Sequence, residues 1–240
     1  MVNGGARVEP SLKNRVALVT GVSRRVGIGF AIAKRLASRG ADLFVQSFSP
    51  YDATKPWGAD SEGIESLLRE LRADSHRVEH EQVDFTDAGA PAALVAEAQR
   101  RLGHVDILIV NHAYSTMGAL EELDAEQIDR HLEVNVRASL LLIEEFTARH
   151  DGRPGGRVIL MTSGQHLGPM PRELAYVASK GALQQLTASL AAHLAPRGIT
   201  VNTVNPGATD TGYATPELYR EVVALSSRAA VGGSPTTRPA

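Results

Sequence analysis

The most informative chemical feature of the sequence is a tyrosine followed four residues later by a lysine, Tyr176 and Lys180. Residues four apart share one face of a helix, so the phenol and the ammonium would be neighbours. A neighbouring ammonium favours the phenolate and lowers a tyrosine pKa from its usual value near ~10. Such a tyrosine can exchange a proton near neutral pH. On its own, however, the pair is more often part of a solvated helix face.

Short β-rich runs alternate with longer helical patterns along the 240-residue chain. Such an alternation predicts βαβ units and a parallel sheet. We therefore expect an α/β fold of the Rossmann type, in which a doubly wound parallel sheet lies between two layers of helices. The predicted strands are 16–20, 42–48, 77–83, 105–110, 157–161 and 199–204, and the predicted helices are 30–39, 61–73, 91–102, 125–150 and 173–195.

A glycine-rich segment, Thr20-Gly-Val-Ser-Arg-Arg-Val-Gly-Ile-Gly29, links the first strand to the first helix. Glycines at such a turn let the backbone approach a phosphate, and the helix N-terminus supplies free N–H groups. The first βα turn of a βαβ pattern is the context that a dinucleotide-binding loop requires. The segment predicts cofactor contacts at Gly21, Ser23, Arg24, Arg25, Gly27, Ile28 and Gly29.

This loop resembles that of the short-chain dehydrogenase/reductase family, whose usual form is Thr-Gly-x-x-x-Gly-x-Gly. The chain has two more residues between its first two glycines, which we expect to lengthen the phosphate loop. Asn111-His-Ala-Tyr114 stands where the family has Asn-Asn-Ala-Gly, so Asn111 and Ala113 match while His112 and Tyr114 do not. Segments after the third and sixth strands are also similar to the family's adenine-binding and nicotinamide-closing segments. The resemblance implies further cofactor contacts at Asp84, Phe85, Asn111, Ala113, Tyr176, Lys180, Pro206, Gly207 and Thr209.

The charges near the second strand indicate which cofactor binds. Enzymes that use NAD place an acidic residue at the end of this strand for the ribose 2′-OH. Here the strand end, 46–49, has no acid before Asp52, and Arg24 and Arg25 lie in the glycine loop. A 2′-phosphate would attract both arginines, so NADP(H) is favoured over NAD(H).

The same resemblance implies the residues of the chemical step. The family's catalytic serine precedes its tyrosine by thirteen residues, which is Ser163, and its helical asparagine matches Asn135. Tyr176 would exchange the proton with the substrate oxygen, and Lys180 would lower the tyrosine pKa and hold the nicotinamide ribose. Ser163 would stabilise the oxyanion, and Asn135 would anchor a water that relays protons to Lys180.

The overall composition narrows the classes of function. The formal net charge of −2 gives no electrostatic footprint for nucleic acid. The chain has no cysteine, which removes disulfides, thiolate catalysis and cysteine-based metal sites. No signal-peptide pattern and no run of roughly 18 apolar residues is found. We expect a cytoplasmic protein that binds no metal, nucleic acid or membrane, and the resemblance implies a homodimer or homotetramer.

The end of the chain departs from the family, which continues with a Gly-x-x-Glu/Asp segment, a helix and a seventh strand. We expect residues 1–225 to form one dinucleotide-binding and catalytic domain and residues 226–240 to be a disordered tail. Residues 231–238 can be back-translated so that a shifted reading frame encodes Trp-Gly-Glu-Pro-Asp-Asp-Ala, which resembles relatives. We hypothesise a frameshift in the gene or its record near 224–230, which would remove the last strand and expose a sheet edge. Sequencing the locus tests this, since an intact frame must continue downstream.

Together these features predict an oxidoreductase that moves a hydride between NADP(H) and a carbonyl or secondary alcohol. By resemblance to 3-oxoacyl-acyl-carrier-protein reductases and small dehydrogenases, the candidate substrates are 3-oxoacyl thioesters, ketones and sugar-like alcohols. The alternative is a truncated nucleotide-binding pseudoenzyme or sensor, which would bind NADPH without turnover. A hydrolase lacks its Gly-x-Ser-x-Gly elbow here, and a P-loop protein lacks its Gly-Lys-Ser/Thr.

Overall fold

A computed structural model describes residues 11–74, 77–207 and 209–212 of the protein. Within them, six parallel strands form one sheet in the order β3-β2-β1-β4-β5-β6. The chain first builds outward from β1 to β3 and then returns to the other side of β1, where β4 pairs with it. In such a sheet ligands bind beyond the carboxyl ends of the strands, at the point where the order reverses. The strands are β1 Val16–Val19, β2 Asp42–Ser47, β3 Val78–Gln82, β4 Ile107–Val110, β5 Gly156–Met161 and β6 Ile199–Val204.

Helices cover both faces of the sheet, because successive side chains of a strand point to opposite faces. In β1, Leu18 belongs to a core cluster with Leu94 of α4 and Leu142 of α6. The neighbouring Val19 belongs to a second cluster on the opposite face, formed with α1 and α3. This arrangement confirms the predicted three-layer Rossmann-type fold. The helices are α1 Ile28–Ser38, α2 Ser49–Ala53, α3 Gly63–Asp74, α4 Ala90–Leu102, α5 Ala125–His131, α6 Ala138–Arg149 and α7 Leu174–Leu194.

The long helix predicted over 125–150 is wrong in one respect. A π-helical turn, Leu132–Arg137, interrupts it and separates α5 from α6. The N–H of Ala138 bonds to the carbonyl of Glu133, five residues back, which widens the helix locally. Such π turns occur mostly as single turns inside α-helices and often at functional sites.

At the amino ends of the strands, Asp106 ties β1 to β4. Its side chain is fully buried and accepts hydrogen bonds from the Arg15 guanidinium and from the Val16 N–H, each at 2.8 Å. The same guanidinium donates to the Pro154 carbonyl at 2.7 Å, just before β5. This cluster therefore holds three strands together at the end of the sheet opposite the predicted site.

Two expectations about chain organisation concern residues that the structure does not describe. The predicted tail, 226–240, and the predicted loss of a seventh strand both lie outside the described residues. Among the described helices, none combines the length and the apolar character that crossing a membrane requires.

Candidate active site

The four predicted catalytic residues come from three neighbouring elements. Ser163 follows the carboxyl end of β5, half-buried, and starts the 3₁₀ turn Gly164–His166. Tyr176 and Lys180 lie in the first turns of α7. Asn135 lies in the π-helical turn and is completely buried. The arrangement places all four beyond or beside the carboxyl ends of the strands, where the fold type binds its ligands.

Lys180 lies against the tyrosine ring, one helical turn away. Its Nζ is 5.7 Å from the centroid of the Tyr176 ring and donates to the Met161 carbonyl at 2.9 Å. The residue is only 2% exposed, and this burial lowers the pKa of Lys180 to about 8. The ammonium is thus fixed between the last residue of β5 and the phenol ring, in surroundings that weaken its hold on the proton.

Asn135 connects the loop after β4 to the turn of α7 that carries the tyrosine. Its Oδ1 accepts from the Tyr114 N–H at 2.7 Å, and its Nδ2 donates to the Tyr114 carbonyl and to Ser179 Oγ, both at 2.9 Å. Ser179 Oγ donates in turn to the Tyr176 carbonyl at 2.8 Å. Both amide hydrogens of Asn135 are therefore used on protein groups. The side chain acts as a brace, which the sequence did not indicate.

A row of aromatic rings extends from the tyrosine away from the sheet. His131 lies 6.5 Å from Tyr176 and 4.9 Å from Tyr114, edge to face in both pairs, and Tyr114 lies 5.6 Å from Tyr51. The Lys55 ammonium covers the Tyr51 ring at 4.6 Å and the Tyr114 ring at 5.4 Å, distances typical of cation–π contacts. Tyr114, which replaces the glycine of the family motif, thus becomes part of the wall beside Tyr176.

The segment between β2 and α3 reaches across to the loop after β4. The Tyr51 hydroxyl donates to the Ser115 carbonyl at 3.1 Å and accepts from the Ser115 N–H at 2.9 Å. Trp57 Nε1 donates to Asp52 at 3.1 Å, and Ser23 of the glycine loop accepts from the N–H that follows β2 at 3.0 Å. The segment therefore contacts the loops on both sides of the predicted cofactor cleft. The sequence showed that this segment is long, but it did not show that the segment reaches the loop after β4.

The glycine-rich loop is held by side chains from neighbouring strands. Gln46 Oε1 accepts from the Gly21 N–H at 2.9 Å, and Gln46 Nε2 donates to the Val83 carbonyl at 2.7 Å. Asn111 Nδ2 donates to the Gly21 carbonyl at 3.2 Å. A side chain at Gly29 would collide with that same carbonyl, so the close approach requires glycine. The role of Gln46 was missed, and its only signal was a polar residue inside an apolar strand.

The first turn of α1 suits a phosphate group. Gly27 precedes the helix without a capping side chain, and no acidic residue lies in its first turn. The first N–H groups of a helix with no side-chain cap can bind an anion directly. The residues present therefore fit the pyrophosphate of a dinucleotide.

Arg24 lies between the segment after β2 and the segment after β6. Its guanidinium stands 5.6 Å from the Trp57 ring centroid and donates to the Thr211 carbonyl at 2.6 Å. Asp52, the first acid after β2, is buried at 9% exposure, and burial raises its pKa. The strand end itself carries Gln46 and Ser47, both buried, instead of a carboxylate.

Arg25 corrects one expectation about the glycine loop. Its guanidinium is paired with Glu70 of α3 and with Glu62 at 3.2 Å, and it donates to Ser66 at 2.9 Å. Its backbone N–H donates to Asp60 at 2.8 Å. The arginine therefore anchors the lengthened loop to α3, and the geometry argues against a phosphate contact through this side chain.

The remaining predicted cofactor residues follow the carboxyl ends of β3 and β6. Asp84 accepts from the N–H two residues later at 2.9 Å, and Phe85 is buried. Gly207 donates its N–H to the side chain two residues before it at 3.0 Å, and Thr209 donates to the Pro206 carbonyl at 3.1 Å. A cavity of about 400 Å³ borders this turn and α1. Its lining residues are Val26, Gly27, Ile28, Ala31, Ile32, Arg35, Leu36, Pro206 and Thr209.

His112, the other departure from the family motif, is buried beneath the site. Its Nδ1 lies 2.8 Å from Thr20 Oγ1, and its Nε2 lies 2.9 Å from the Val134 carbonyl. The ring packs at 4.3 Å from that of Phe85. Burial, and then the charge of Lys180, lower the pKa of His112 to about 3, so the imidazole is neutral at physiological pH.

Among the described residues, no group of three or more histidine, cysteine, aspartate or glutamate side chains could hold a metal ion. The titratable groups that gather around Tyr176 are a lysine and a histidine with lowered pKa values. Such a site is suited to proton transfer to or from a bound organic substrate.

Comparison with known proteins places this geometry in a family. The model of the family described as short chain dehydrogenase matches residues 15–220, and the chain belongs to that family. It is 41% identical over 208 residues to the uncharacterized oxidoreductase YjdA of Bacillus subtilis (strain 168), covering 86% of this chain and 79% of that protein.

Two solved structures that are similar to this chain contain a bound nucleotide. The blue fluorescent protein from a metagenomic library, in complex with NADPH, is 35% identical with a TM-score of 0.77, over 90% of this chain and 83% of that one. The angucycline C-6 ketoreductase LanV, with bound NADP, is 32% identical with a TM-score of 0.76, over 89% and 81%. The chain thus belongs to a family of oxidoreductases, and these two similar structures hold a nicotinamide nucleotide.

Proposed function

We propose that the protein is an NADP(H)-dependent reductase that interconverts a carbonyl group and a secondary alcohol, with Tyr176 as the general acid and base. The observation that carries the proposal is the buried Lys180 ammonium, 5.7 Å from the Tyr176 ring and fixed on the Met161 carbonyl. A buried cation with a lowered pKa is unfavourable to folding, and such groups cluster at functional sites.

The residues around this pair have separate roles in the proposed reaction. Tyr176 donates a proton to the carbonyl oxygen in reduction and removes it from the alcohol in oxidation. Ser163 donates a hydrogen bond to the same oxygen as negative charge develops there. Lys180 stabilises the phenolate form of the tyrosine, and Asn135 braces the α7 turn from which the tyrosine extends. When bound, a nicotinamide cofactor would supply the hydride in reduction and accept it in oxidation.

The preference for NADP(H) rests on the charges at the end of β2. Gln46 and Ser47 occupy the strand end where NAD enzymes carry a carboxylate, while Asp52 accepts from Trp57 and lies near Ser23 and Arg24, with its pKa raised by burial toward the neutral form. Arg24 contacts the Trp57 ring and the Thr211 carbonyl, whereas Arg25 is paired with Glu62 and Glu70 of the α3 region. We assign the 2′-phosphate contact to Arg24 and Ser23, and we assign Arg25 a structural role.

The proposed substrates are small ketones and 3-oxoacyl thioesters, with sugar-like alcohols in the reverse direction. The similarity to a protein named as a ketoreductase supports the ketone class. The aromatic row beside Tyr176 gives the site an apolar border, which favours substrates with apolar groups next to the carbonyl. We further propose a cytoplasmic homodimer or homotetramer.

The experiment that tests the proposal measures NADPH oxidation with a panel of ketones and 3-oxoacyl thioesters. We expect turnover by the natural chain and a loss of about 100- to 10,000-fold in kcat for Tyr176→Phe. NADPH binding, followed by fluorescence, serves as the control and should be retained by the variant. A Tyr176→Phe variant with full activity would refute the assigned role, and NADPH binding without turnover on any substrate would favour the sensor alternative.

A matched pair of variants tests the cofactor assignment. Arg24→Ala should raise KM for NADPH by about 10- to 100-fold with little change for NADH, because it removes a charged hydrogen bond to the 2′-phosphate. Arg25→Ala should lower thermal stability with a much smaller effect on that ratio. Equal effects of the two variants on the NADPH/NADH ratio would contradict the assignment.

A further inference from the structure

His112 connects the start of the glycine loop to the π-helical turn, two parts of the molecule whose relative position matters for the proposed reaction. On one side its Nδ1 meets the hydroxyl of Thr20, at the carboxyl end of β1 where the glycine loop begins. On the other side its Nε2 meets the carbonyl of Val134, inside the π-helical turn. Val134 directly precedes Asn135, so the contact lies one residue from the brace of the tyrosine turn.

The two contacts fix the state of the ring. The carbonyl of Val134 can only accept, so Nε2 must carry the hydrogen. A neutral imidazole then has a bare Nδ1, which accepts the hydrogen of Thr20 Oγ1. Thr20 Oγ1 itself accepts from the N–H groups of Asn111 and His112, at 2.9 and 3.2 Å. The single hydroxyl hydrogen of Thr20 also has the Ile109 carbonyl within reach at 3.3 Å, but His112 Nδ1 at 2.8 Å is the nearer acceptor.

The π-helical turn explains why an external donor is placed here. Widening the helix displaces its backbone groups from the ordinary i to i−4 pattern. The Val134 carbonyl receives the imidazole N–H at 2.9 Å, and the Asn135 carbonyl receives Ser139 Oγ at 2.6 Å. Side chains thus satisfy two successive carbonyls of the turn, one from within the helix and one from the loop after β4.

The His112 imidazole, which bridges Thr20 and Val134, must also be uncharged because Lys180 lies near it. Lys180 is close enough for its charge to act on His112, and both side chains are buried. A second cation at this depth would repel the ammonium that lies against Tyr176. An imidazole meets both demands, since it donates and accepts at opposite sides of a ring without carrying charge.

We propose that His112 is a positioning residue of the active site: its neutral ring links Thr20 to Val134 and holds the π-helical turn so that Asn135 braces the tyrosine turn. The inference rests on the proposed function for its kinetic test, while its structural part is independent of any reaction. It assigns a purpose to a residue at which the chain departs from the family motif.

The kinetic test compares three single variants. His112→Phe keeps the ring volume and removes both contacts, and it should lower kcat by about 10- to 100-fold with KM for NADPH within about threefold, as expected for a displaced catalytic group. His112→Gln, which can still donate and accept, should recover most of this loss. His150→Phe is the matched control, because His150 is a buried histidine near the start of β5, away from the site. It should leave kcat within about twofold whatever it does to thermal stability.

A double variant shows whether His112 acts through Asn135. In an Asn135→Ala background, His112→Phe should cause little additional loss of kcat, because the brace it supports is already gone. Unchanged kcat in His112→Phe, a full additional loss in the Asn135→Ala background, or an equal loss in His150→Phe would each overturn the proposal.

Nitrogen-15 NMR of the imidazole tests the bridge without turnover. The expected spectrum at pH 7 is that of a neutral ring protonated at Nε2, and a Thr20→Val variant should shift the Nδ1 signal. A charged ring, or a ring protonated at Nδ1, overturns the proposal. If no carbonyl substrate is turned over by the natural chain, the proposed function fails, and this spectrum alone decides whether the bridge exists.

Discussion

Burial of the Lys180 ammonium should be measurable as a dependence of stability on pH. The folded-state pKa of about 8 lies 2.5 units below the ordinary value of 10.5. At roughly 1.36 kcal/mol per unit, the buried charge costs the folded state about 3 kcal/mol. The cost is fully present below pH 8, where lysine is charged in both states, and disappears as pH rises toward 10.5, because the folded state releases its proton first.

The variant Lys180→Met keeps the apolar stem and removes the charge. The free energy of unfolding of the natural chain, minus that of the variant, should therefore rise by about 3 kcal/mol between pH 7 and pH 10.5. Urea unfolding of both proteins at each pH gives this difference, in which the titration of groups that do not interact with Lys180 cancels. The variant should also lose its reductase activity.

An exposed lysine supplies the control for this measurement. Lys13→Met removes an ammonium that is exposed in the folded chain, and the same difference measured for it is the reference for Lys180→Met. A flat difference for Lys180→Met would refute the assignment of a desolvated ammonium against Tyr176. A difference that falls with pH would mean that a buried carboxylate, not desolvation, determines its environment.

Three further predictions follow from the site and its supports. The pKa of His112 is about 3 in the folded state against 6.5 in the unfolded state. The free energy of unfolding should therefore fall as pH drops below 6.5, by about 2 to 3 kcal/mol at pH 4.5. Urea titrations at pH 6.5 and pH 4.5 should show this fall for the natural chain, and His112→Gln should remove it. Gly29→Ala should lower the melting temperature and the NADPH affinity, because the new Cβ would collide with the Gly21 carbonyl. Gly181→Ala, which has open space around it in α7, should stabilise the fold by about 0.5 to 1 kcal/mol. Similar effects of the two variants would contradict the packing argument. Ser163→Ala should reduce kcat by about 100- to 1,000-fold with NADPH binding unchanged, and a smaller loss in steady-state kinetics would remove Ser163 from the oxyanion contact.

The elements of the fold could be predicted because the strands other than the polar β3 are apolar runs bounded by turn signals. The predicted and observed strands agree to within two residues at either end, as Ile107–Val110 shows against a prediction of 105–110. Helix ends were similarly close where glycine or proline marks them. The interruption at Leu132–Arg137 could not be predicted, because no glycine or proline marks it and its widened turn depends on a donor from a distant segment.

Some contacts of the candidate site could also be predicted from the sequence, and others could not. Tyr176 and Lys180 are neighbours by helical geometry alone, so their contact was predictable from spacing. Arg25 could not be assigned correctly from sequence, because its partner Glu70 lies forty-five residues away on another helix. The roles of Gln46 and His112 could not be predicted either, since their partners are backbone groups and the Thr20 hydroxyl, which only the folded sheet brings near.

The ion cluster around Asp106 gives the sheet two ends with different tasks. Strand β1 spans about 13 Å at roughly 3.3 Å per residue, which separates the buried carboxylate from the glycine loop. Changes more than about 10 Å apart without shared partners act nearly additively on stability. Stabilising substitutions at the Arg15–Asp106 end should therefore combine freely with substitutions that alter the pocket. The same sheet can serve as a stable base on which new substrate preferences are selected at the opposite end.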